Sequence, residues 1–255
     1  MQIAITRGIS PSIDRCELTH MERQPIDPAR ASAQHAEYER TLERLGCEVR
    51  RLPESADLPD SVFVEDTAVV LDEIAIIARP GAASRQAEIP EMTAALSLHR
   101  PMAQITAPGT VEGGDILVID RRVYVGLSSR TNGCGLRQIV DILRPFGYEV
   151  TPVPIARCLH LKSAATRVAK DAVLINREWI DVDAFPKDLR LIDVDPLEPF
   201  GANALLIGER VIHPAVYTRT ADRLARAGIR VATVDVSEIL KAEGGVTCCS
   251  LVFEG

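Results

Sequence analysis

Apolar residues in this chain come in short paired runs. In four segments an apolar run, a brief polar turn and a second apolar run follow one another, which is the pattern of a β-hairpin. The segments are AVVLDEIAIIARP from Ala68, DILVIDRRVYVGL from Asp115, AVLINREWIDV from Ala172 and ALLIGERVIHP from Ala204. The sequence therefore predicts four hairpins, with turns near Asp72, Asp120, Asn176 and Gly208.

Each hairpin is followed by a helix candidate and then by one further short strand. The helix candidates cover residues 84–97, 132–143, 183–189 and 218–227, with a break at Pro90 in the first and Gly228 as the stop of the last. The returning strands are AQITA, YEVTPVPI, RLIDVD and RVATVDV. The repeating unit is therefore strand, strand, helix, strand.

The two ends of the chain supply a fifth unit. MQIAITRG at the start and CCSLVFEG at the end both read as strands and would pair if the termini lie side by side. A helix from Pro28 to Leu45, with Asp27 as its N-cap, and the strand CEVRRLP complete the unit. Five such units predict one α/β domain over residues 1–255, a five-bladed α/β propeller of ββαβ repeats closed by the terminal strands. A two-domain α/β protein with coincidental hairpins is the alternative.

The composition limits the kinds of ligand and partner that such a protein is expected to bind. The 255 residues include 29 basic and 36 acidic side chains, for a net charge of −7, and 46% of the residues are hydrophobic. The acidic balance disfavours nucleic acid as a partner and suits a small cationic ligand. No apolar run approaches the roughly 18 residues of a membrane span, and the first residues lack the apolar core of a signal peptide. We therefore expect a soluble cytoplasmic protein whose six cysteines, which fit no zinc spacing, are free thiols.

Chemically reactive side chains precede the first strand of several units, and equivalent positions in a ring converge on its axis. These residues are Asp60, Glu65 and Asp66 before the first hairpin, Glu112 and Asp115 before the second, His160 before the third and Cys248 before the closing strand. Carboxylates, one imidazole and one thiol at a common centre predict a nucleophilic site for a cation.

The thiol and the imidazole also have structural interpretations. Cys248 is one of six cysteines and could be a small buried hydrophobe, but Gly244 and Gly245 allow the backbone before it to approach a ligand closely. Cys249, its neighbour, is expected to point into the packing. His160 alternates with two leucines, which predicts a strand and leaves a structural histidine as the alternative role.

Six motifs occur in an order that is typical of one enzyme family. They are FVED at Phe63, RPGAASR at Arg79, EGGD at Glu112, SRTN at Ser129, LHLKS at Leu159 and GGVTCCS at Gly244. Through them the chain closely resembles the dimethylarginine dimethylaminohydrolases over nearly its whole length. The resemblance implies the pentein fold of the guanidine-modifying enzymes, a five-bladed α/β propeller, which agrees with the repeats.

The resemblance also implies a role for each motif residue. It places the nucleophile at Cys248, the general acid and base at His160, and guanidinium-binding carboxylates at Glu112, Asp66 and Asp60. It further implies arginines for the substrate carboxylate at Arg85 and Arg130, pocket residues at Phe63 and Glu65, and a lid residue at Leu18. The lid loop, CELTHMERQPID, agrees with the family only loosely.

The implied reaction is hydrolysis of Nω-methylated L-arginine, a small-molecule substrate, to citrulline and an alkylamine. It needs no metal or organic cofactor. Zinc, which binds thiolate and imidazole well, is expected only as an inhibitor, and normal activity in excess zinc would contradict that expectation. The alternatives are an arginine deiminase, a non-catalytic pentein and a papain-like hydrolase, although in papain-like enzymes the cysteine precedes the histidine. A homodimer is possible, without a located interface.

Overall fold

The computed structural model describes residues 1–255, which form a ring of five three-stranded sheets. The strands are β1 (Gln2–Arg7), β2 (Glu48–Leu52), β3 (Ala68–Val70), β4 (Ala75–Ile77), β5 (Met102–Gln104), β6 (Ile116–Ile119), β7 (Arg122–Leu127), β8 (Glu149–Pro154), β9 (Ala165–Ala169), β10 (Ala172–Ile175), β11 (Arg190–Asp193), β12 (Leu205–Ile207), β13 (Arg210–Pro214), β14 (Arg230–Val234) and β15 (Leu251–Glu254). The sheets are β15-β1-β2, β3-β4-β5, β6-β7-β8, β11-β10-β9 and β12-β13-β14. In each sheet the central strand pairs with one antiparallel and one parallel neighbour.

This arrangement confirms the predicted five-bladed propeller and its closure. The first and last strands pair antiparallel, with Ile3 opposite Phe253 and Ile5 opposite Leu251. Apolar side chains from adjacent sheets and their helices form five buried clusters around the ring. None of the helices combines the length and the apolar character that a membrane crossing requires.

Six helices accompany the sheets, and two of them begin at a side-chain N-cap. They are α1 (Pro28–Arg44), α2 (Ile89–Leu96), α3 (Gly133–Leu143), α4 (Leu161–Ala164), α5 (Thr218–Arg226) and α6 (Ser237–Leu240). The Asp27 carboxylate accepts hydrogen bonds from two free amides at the start of α1, and the Asn132 side chain does the same for one amide of α3. The N-cap of α1 therefore lies where the sequence predicts it. Gly228 follows α5 with a φ of 83°, as its predicted role as a helix stop requires.

The third hairpin lies elsewhere than the sequence predicts. Its strands are β9 and β10, and the turn is at Lys170 and Asp171 rather than at Asn176. Arg167 and Thr166 give β9 a weak apolar pattern, whereas the apolar residues Trp179 and Ile180 suggest a strand that does not form. These two are buried because they pack into the neighbouring cluster. The predicted helix at residues 183–189 is likewise reduced to one short 3-10 turn, Val182–Ala184.

In four of the five units, the segment before the first strand reaches one end of the ring, where these segments meet. The first strands concerned are β3, β6, β9 and β15. The amide of Gly114, before β6, donates to the carboxylate of Asp66, before β3, at 3.0 Å. The imidazole of His160, before β9, hydrogen-bonds the carboxylate of Glu112 at 2.7 Å. The amide of Glu65 donates to the carbonyl oxygen of Cys248, before β15, at 3.1 Å. The predicted convergence of these side chains is therefore present in the fold.

Candidate active site

His160 is held by two carboxylates in the buried centre of this end. It is the residue before α4, so the strand predicted for it is wrong: the four residues after it form a short helix. Its Nε2 lies 2.7 Å from Oε2 of Glu112, and its Nδ1 lies 3.9 Å from Oδ1 of Asp66. The side chain is almost fully buried.

The charges around His160 favour its protonated form. Burial by itself lowers the pKa of an imidazole, but here the charges of Asp66 and Asp115 and the hydrogen bond that His160 donates to Glu112 outweigh burial and raise the pKa of His160 above its usual range. Burial would raise the pKa of Glu112, yet the hydrogen bond and charge of His160 hold it below its usual range. At neutral pH the site therefore presents an imidazolium, which is the form that can give a proton to a leaving group.

Cys248 lies in a turn that ends just before β15. It is partly exposed, and it lines a cavity that His160 also lines. The two glycines before it are required by close packing. A Cβ atom on Gly244 would lie 2.3 Å from the ring of Phe63, and one on Gly245 would lie 2.3 Å from the side chain of Asn203. The glycines thus allow the backbone to approach protein neighbours closely, and this contact fixes the turn that presents the thiol.

The electrostatic surroundings keep this thiol protonated in the free protein. Burial raises the pKa of Cys248, and the negative charges of Glu65 and Asp66 raise it further. Cys249 next to it is fully buried, and its sulfur donates to the carbonyl oxygen of Gly245, as the predicted packing role requires. A cation bound beside the carboxylates would offset the charges that suppress the Cys248 thiolate.

One narrow cavity brings most of the predicted site residues together. Its volume is about 20 Å³, and it is lined by Glu17, Asp60, Phe63, Asp66, Arg85, Arg130, Leu159, His160, Ala242, Glu243, Gly244 and Cys248. A second cavity of about 80 Å³ adjoins it and shares Leu159, Glu243, Gly244 and Cys248. Glu112 lies directly behind the first cavity, fully buried against His160.

Three predicted residues lie at the edge of the cavity or behind it. The carboxylate of Asp60 accepts the amide of Glu17, and burial raises the pKa of Asp60 to about 6. Glu65 is behind Cys248, where it pairs with Lys162 at 2.7 Å and faces a separate cavity of about 600 Å³ along the ring axis. Leu18 is half-buried and packs against the core cluster that contains Phe63, without lining the cavity.

The two predicted arginines have different surroundings. Arg85 is buried, and its guanidinium donates to Asp66 at 2.6 Å and to both oxygens of Glu88 at 2.9 and 3.0 Å. Arg130 is held loosely, with its nearest polar partners Glu112 at 3.5 Å and the Thr19 hydroxyl at 3.3 Å. In this structure Arg85 orients Asp66, whereas Arg130 keeps donors available for a ligand.

We expect alanine at these two positions to give different defects. Arg85→Ala leaves two buried carboxylates without their cation, so it should cost about 3–5 kcal/mol of unfolding free energy and lower kcat as well as raise KM. Arg130→Ala should raise KM with little change in kcat or stability, because it removes only binding. Denaturant unfolding and steady-state kinetics of both variants check this. An Arg85→Ala protein of unchanged stability with only KM raised would assign Arg85 to the substrate carboxylate instead.

Several residues of the site were not found from the sequence. Glu88 completes the pairing of Arg85, and Thr247 donates its hydroxyl to Glu65 at 2.8 Å directly beside the nucleophile. Leu159 lines both cavities, and Glu243 touches the loop that covers them. Leu159 and Thr247 lie within the motifs LHLKS and GGVTCCS, and this position is the only sequence signal for their roles.

The same cluster has the donors for a metal ion. Asp66, Glu112 and His160 are all buried, and their possible ligand atoms lie within 4.8 Å of one another. These are oxygen and nitrogen ligands that suit a divalent cation, and the Cys248 thiol lines the same cavity. Inhibition by zinc stays a prediction. The carboxylates of Asp66 and Glu112 are further candidate ligands beside the thiolate and the imidazole.

A closed ring of five three-stranded units with a thiol, an imidazole and carboxylates at one end defines a guanidine-modifying enzyme of the pentein fold. The family model described as N,N dimethylarginine dimethylhydrolase, eukaryotic, matches residues 13–253. A dimethylarginine dimethylaminohydrolase from Pseudomonas aeruginosa is 40% identical over 229 residues, which cover 89% of this chain and 90% of that protein. The chain therefore belongs to the dimethylarginine dimethylaminohydrolase family.

Solved structures agree with this assignment. A cysteine-to-serine variant of the Pseudomonas aeruginosa enzyme, complexed with citrulline, has a TM-score of 0.91 and 36% identity, covering 98% of each chain. The N-terminal domain of ArgZ, a cyanobacterial arginine dihydrolase bound to its product, has a TM-score of 0.89 at 22% identity, covering 98% of this chain and 97% of that one. The second likeness shows that the fold is shared with an enzyme named for arginine.

Proposed function

We propose that this protein hydrolyses Nω-methylated L-arginines to citrulline and dimethylamine or methylamine through a covalent intermediate on Cys248. The observation that carries the proposal is the joint placement of Cys248 and the paired His160 beside buried carboxylates in one cavity. Its similarity to the citrulline-bound enzyme supports citrulline as the product. The scheme below uses only side chains of this chain and water, without a cofactor.

Binding of the guanidinium group is the first task of the site. Asp66 and Glu112 offer carboxylate oxygens for its N–H groups through charge-assisted hydrogen bonds. Arg130 also lines the cavity and keeps donors available, so it would bind the amino-acid carboxylate of the substrate. The bound cation offsets the charges that raise the pKa of Cys248, so its thiol releases a proton to solvent and becomes a thiolate next to the guanidinium carbon.

Formation of the intermediate consumes the proton of His160. The thiolate attacks the guanidinium carbon, a C–S bond forms, and the carbon becomes tetrahedral. The imidazolium gives its proton to the alkylated nitrogen, the C–N bond breaks, and the neutral amine leaves. A positively charged S-alkylthiouronium remains on Cys248, with His160 neutral.

Water completes the reaction with the same imidazole acting as a base. Neutral His160 takes a proton from a water molecule while its oxygen attacks the thiouronium carbon. The C–S bond then breaks, and the hydroxyl on carbon gives its proton to the departing thiolate, which leaves the ureido group of citrulline and a neutral Cys248 thiol. The imidazolium is restored for the next cycle.

The raised pKa of Cys248 predicts an unusual response to alkylating reagents. Little thiolate exists at neutral pH, so the rate of inactivation by neutral iodoacetamide should still increase with pH above 9. A positively charged alkylating amidine should react much faster at pH 7 than iodoacetamide, relative to their rates with free cysteine. Rates measured from pH 6 to 10 with Cys248→Ser as the control check this. An iodoacetamide rate that levels off near pH 7 would show a preformed thiolate.

Isotope incorporation and mass spectrometry test the proposed route. Turnover of asymmetric dimethylarginine in H₂¹⁸O should place one ¹⁸O atom in the ureido group of citrulline. Acid quenching during turnover should yield a peptide containing Cys248 with the added mass of the thiouronium group. Citrulline formation with no adduct on any cysteine, even in a slow variant, would contradict the covalent route.

A further inference from the structure

One carboxylate accepts three consecutive backbone amides of the loop over the active site. Residues 16–27 contain no helix or strand, and they pass over the cavity end of the ring. The side chain of Glu243 accepts three consecutive backbone amides from this loop: Thr19 at 3.0 Å, His20 at 2.5 Å, and Met21. Successive amides that converge on one anion form a backbone receptor for negative charge.

The backbone of Glu243 is held in a conformation that suits this contact. Its φ is +55°, one of only three positive values at non-glycine residues in the chain. Side chains with a Cβ atom disfavour this region, and such residues persist where surrounding contacts determine them. Glu243 directly precedes the two glycines of the nucleophile turn and stands five positions before Cys248. The carboxylate thus links the loop to the segment that presents the thiol.

The loop completes the walls of both cavities. Glu17 lines the cavity that contains His160, while His20 and Met21 line the adjoining one. Ligand pockets commonly measure about 300–1,000 Å³, far above the roughly 20 and 80 Å³ found here. The structure therefore shows a contracted site, and a substrate of amino-acid size requires the covering loop to move.

Movement of the loop would also release a residue of the substrate site. The Thr19 hydroxyl accepts a hydrogen bond from Arg130 at 3.3 Å, so lifting Thr19 frees that guanidinium. Residues 17–21, the part of the loop over Cys248, have two further hydrogen bonds to the rest of the protein: the Glu17 amide donates to Asp60 at 3.2 Å, and the Ser84 hydroxyl donates to Glu17 at 2.7 Å. Of these anchors only Glu243 binds several loop amides at once.

We propose that Glu243 is a positioning residue that latches residues 17–21 over Cys248 and sets the equilibrium between closed and open loop. Without its carboxylate the three amides lose their common acceptor, and the loop opens more often. Substrate bound under the loop must then supply the closing free energy, which raises KM and leaves kcat at saturation nearly unchanged. The kinetic part of this inference rests on the proposed function, whereas the opening of the loop does not.

Limited proteolysis measures loop opening without any substrate. Trypsin can cut after Arg23, an exposed residue at the far side of the loop. In Glu243→Gln the cut after Arg23 should be about tenfold faster than in the wild type, with cleavage after Arg40 inside α1 unchanged as the report on global folding. Glu22→Gln, which neutralises an exposed carboxylate of the same loop, is the matched control and should cleave at the wild-type rate.

A second variant removes the latch from the loop side. Met21→Pro deletes one of the amides that Glu243 accepts and should also speed the cut after Arg23. The double variant should then show less than the product of the two single effects, because both remove one interaction. If the two changes multiplied the rate of cleavage after Arg23 independently, the proposed latch would be wrong. A wild-type cleavage rate in Glu243→Gln would also overturn it.

Kinetics supply the functional readout. With asymmetric dimethylarginine, Glu243→Gln should raise KM about tenfold while kcat stays within about threefold. A kcat lowered by orders of magnitude with KM unchanged would assign Glu243 to the chemical step and overturn its role as a latch. A wild-type protein with no turnover would refute the proposed function, and the proteolysis would still decide the latch.

Discussion

Cys248→Ser is expected to abolish turnover, by roughly 10⁴-fold or more, while the folded protein still binds its substrate. A serine hydroxyl at this position has no base placed to remove its proton, since His160 is protonated and paired with Glu112. The carboxylates that hold the guanidinium stay in place, so substrate binding should change little. Initial rates of citrulline formation together with equilibrium binding of the substrate measure both effects.

The neighbouring thiol provides the matched control. Cys249→Ser changes a sulfur that is buried in the core and donates to a backbone carbonyl, so it should retain most activity with some loss of stability. The reverse pattern, with Cys249→Ser inactive and Cys248→Ser active, would move the nucleophile by one residue.

His160→Gly should give the second large loss, of roughly 10²–10⁴-fold in kcat, because the amine then leaves without a proton and water reacts without a base. The variant should stall at or before the covalent adduct on Cys248. Imidazole added to the solution should restore part of the rate, since the cavity left by the side chain can hold it. Rapid quenching followed by mass spectrometry detects the adduct, and rates with and without imidazole measure the rescue.

The pH profile gives an independent check of His160. Its pKa is raised, so the protonated form should persist through neutral pH, and kcat should decrease only when the pH rises through that raised value. His160→Gly should lose this basic limb. Full turnover by the variant, or an unchanged profile, would remove His160 from the scheme.

Much of the fold could be predicted because each unit repeats the same local pattern. The turns at Asp120 and Gly208 have left-handed backbone conformations, and strong apolar runs flank them. The prediction for the third hairpin is wrong for a physical reason. Arg167 interrupts the apolar pattern of strand β9, so the strand is hard to recognise. Trp179 is buried against a neighbouring sheet, so its apolar side chain does not indicate a strand.

The site residues could be predicted where they lie in recognisable sequence motifs. Cys248, His160, Asp66 and Arg85 lie in motifs, and the structure brings them to one cavity. The sequence could not show that Arg85 would be paired with Glu88, which follows it by three residues, instead of facing a ligand. Such pairing depends on the burial of both side chains, which only the folded ring determines.

The contact of Glu243 with the loop left no sign in the sequence. The two partners are more than 220 residues apart, and the acceptor is a glutamate in a conformation that glycine usually adopts. The loop contributes backbone amides, which every residue except proline carries. Residue types therefore could not reveal this interaction.

The most direct test of the proposed function is citrulline formation by the purified protein from asymmetric dimethylarginine, monomethylarginine and arginine in parallel, with Cys248→Ser as the control. We expect turnover of the methylated arginines that is lost in the variant. Turnover of arginine alone would make the protein a deiminase. No citrulline from any of the three would contradict the proposed activity.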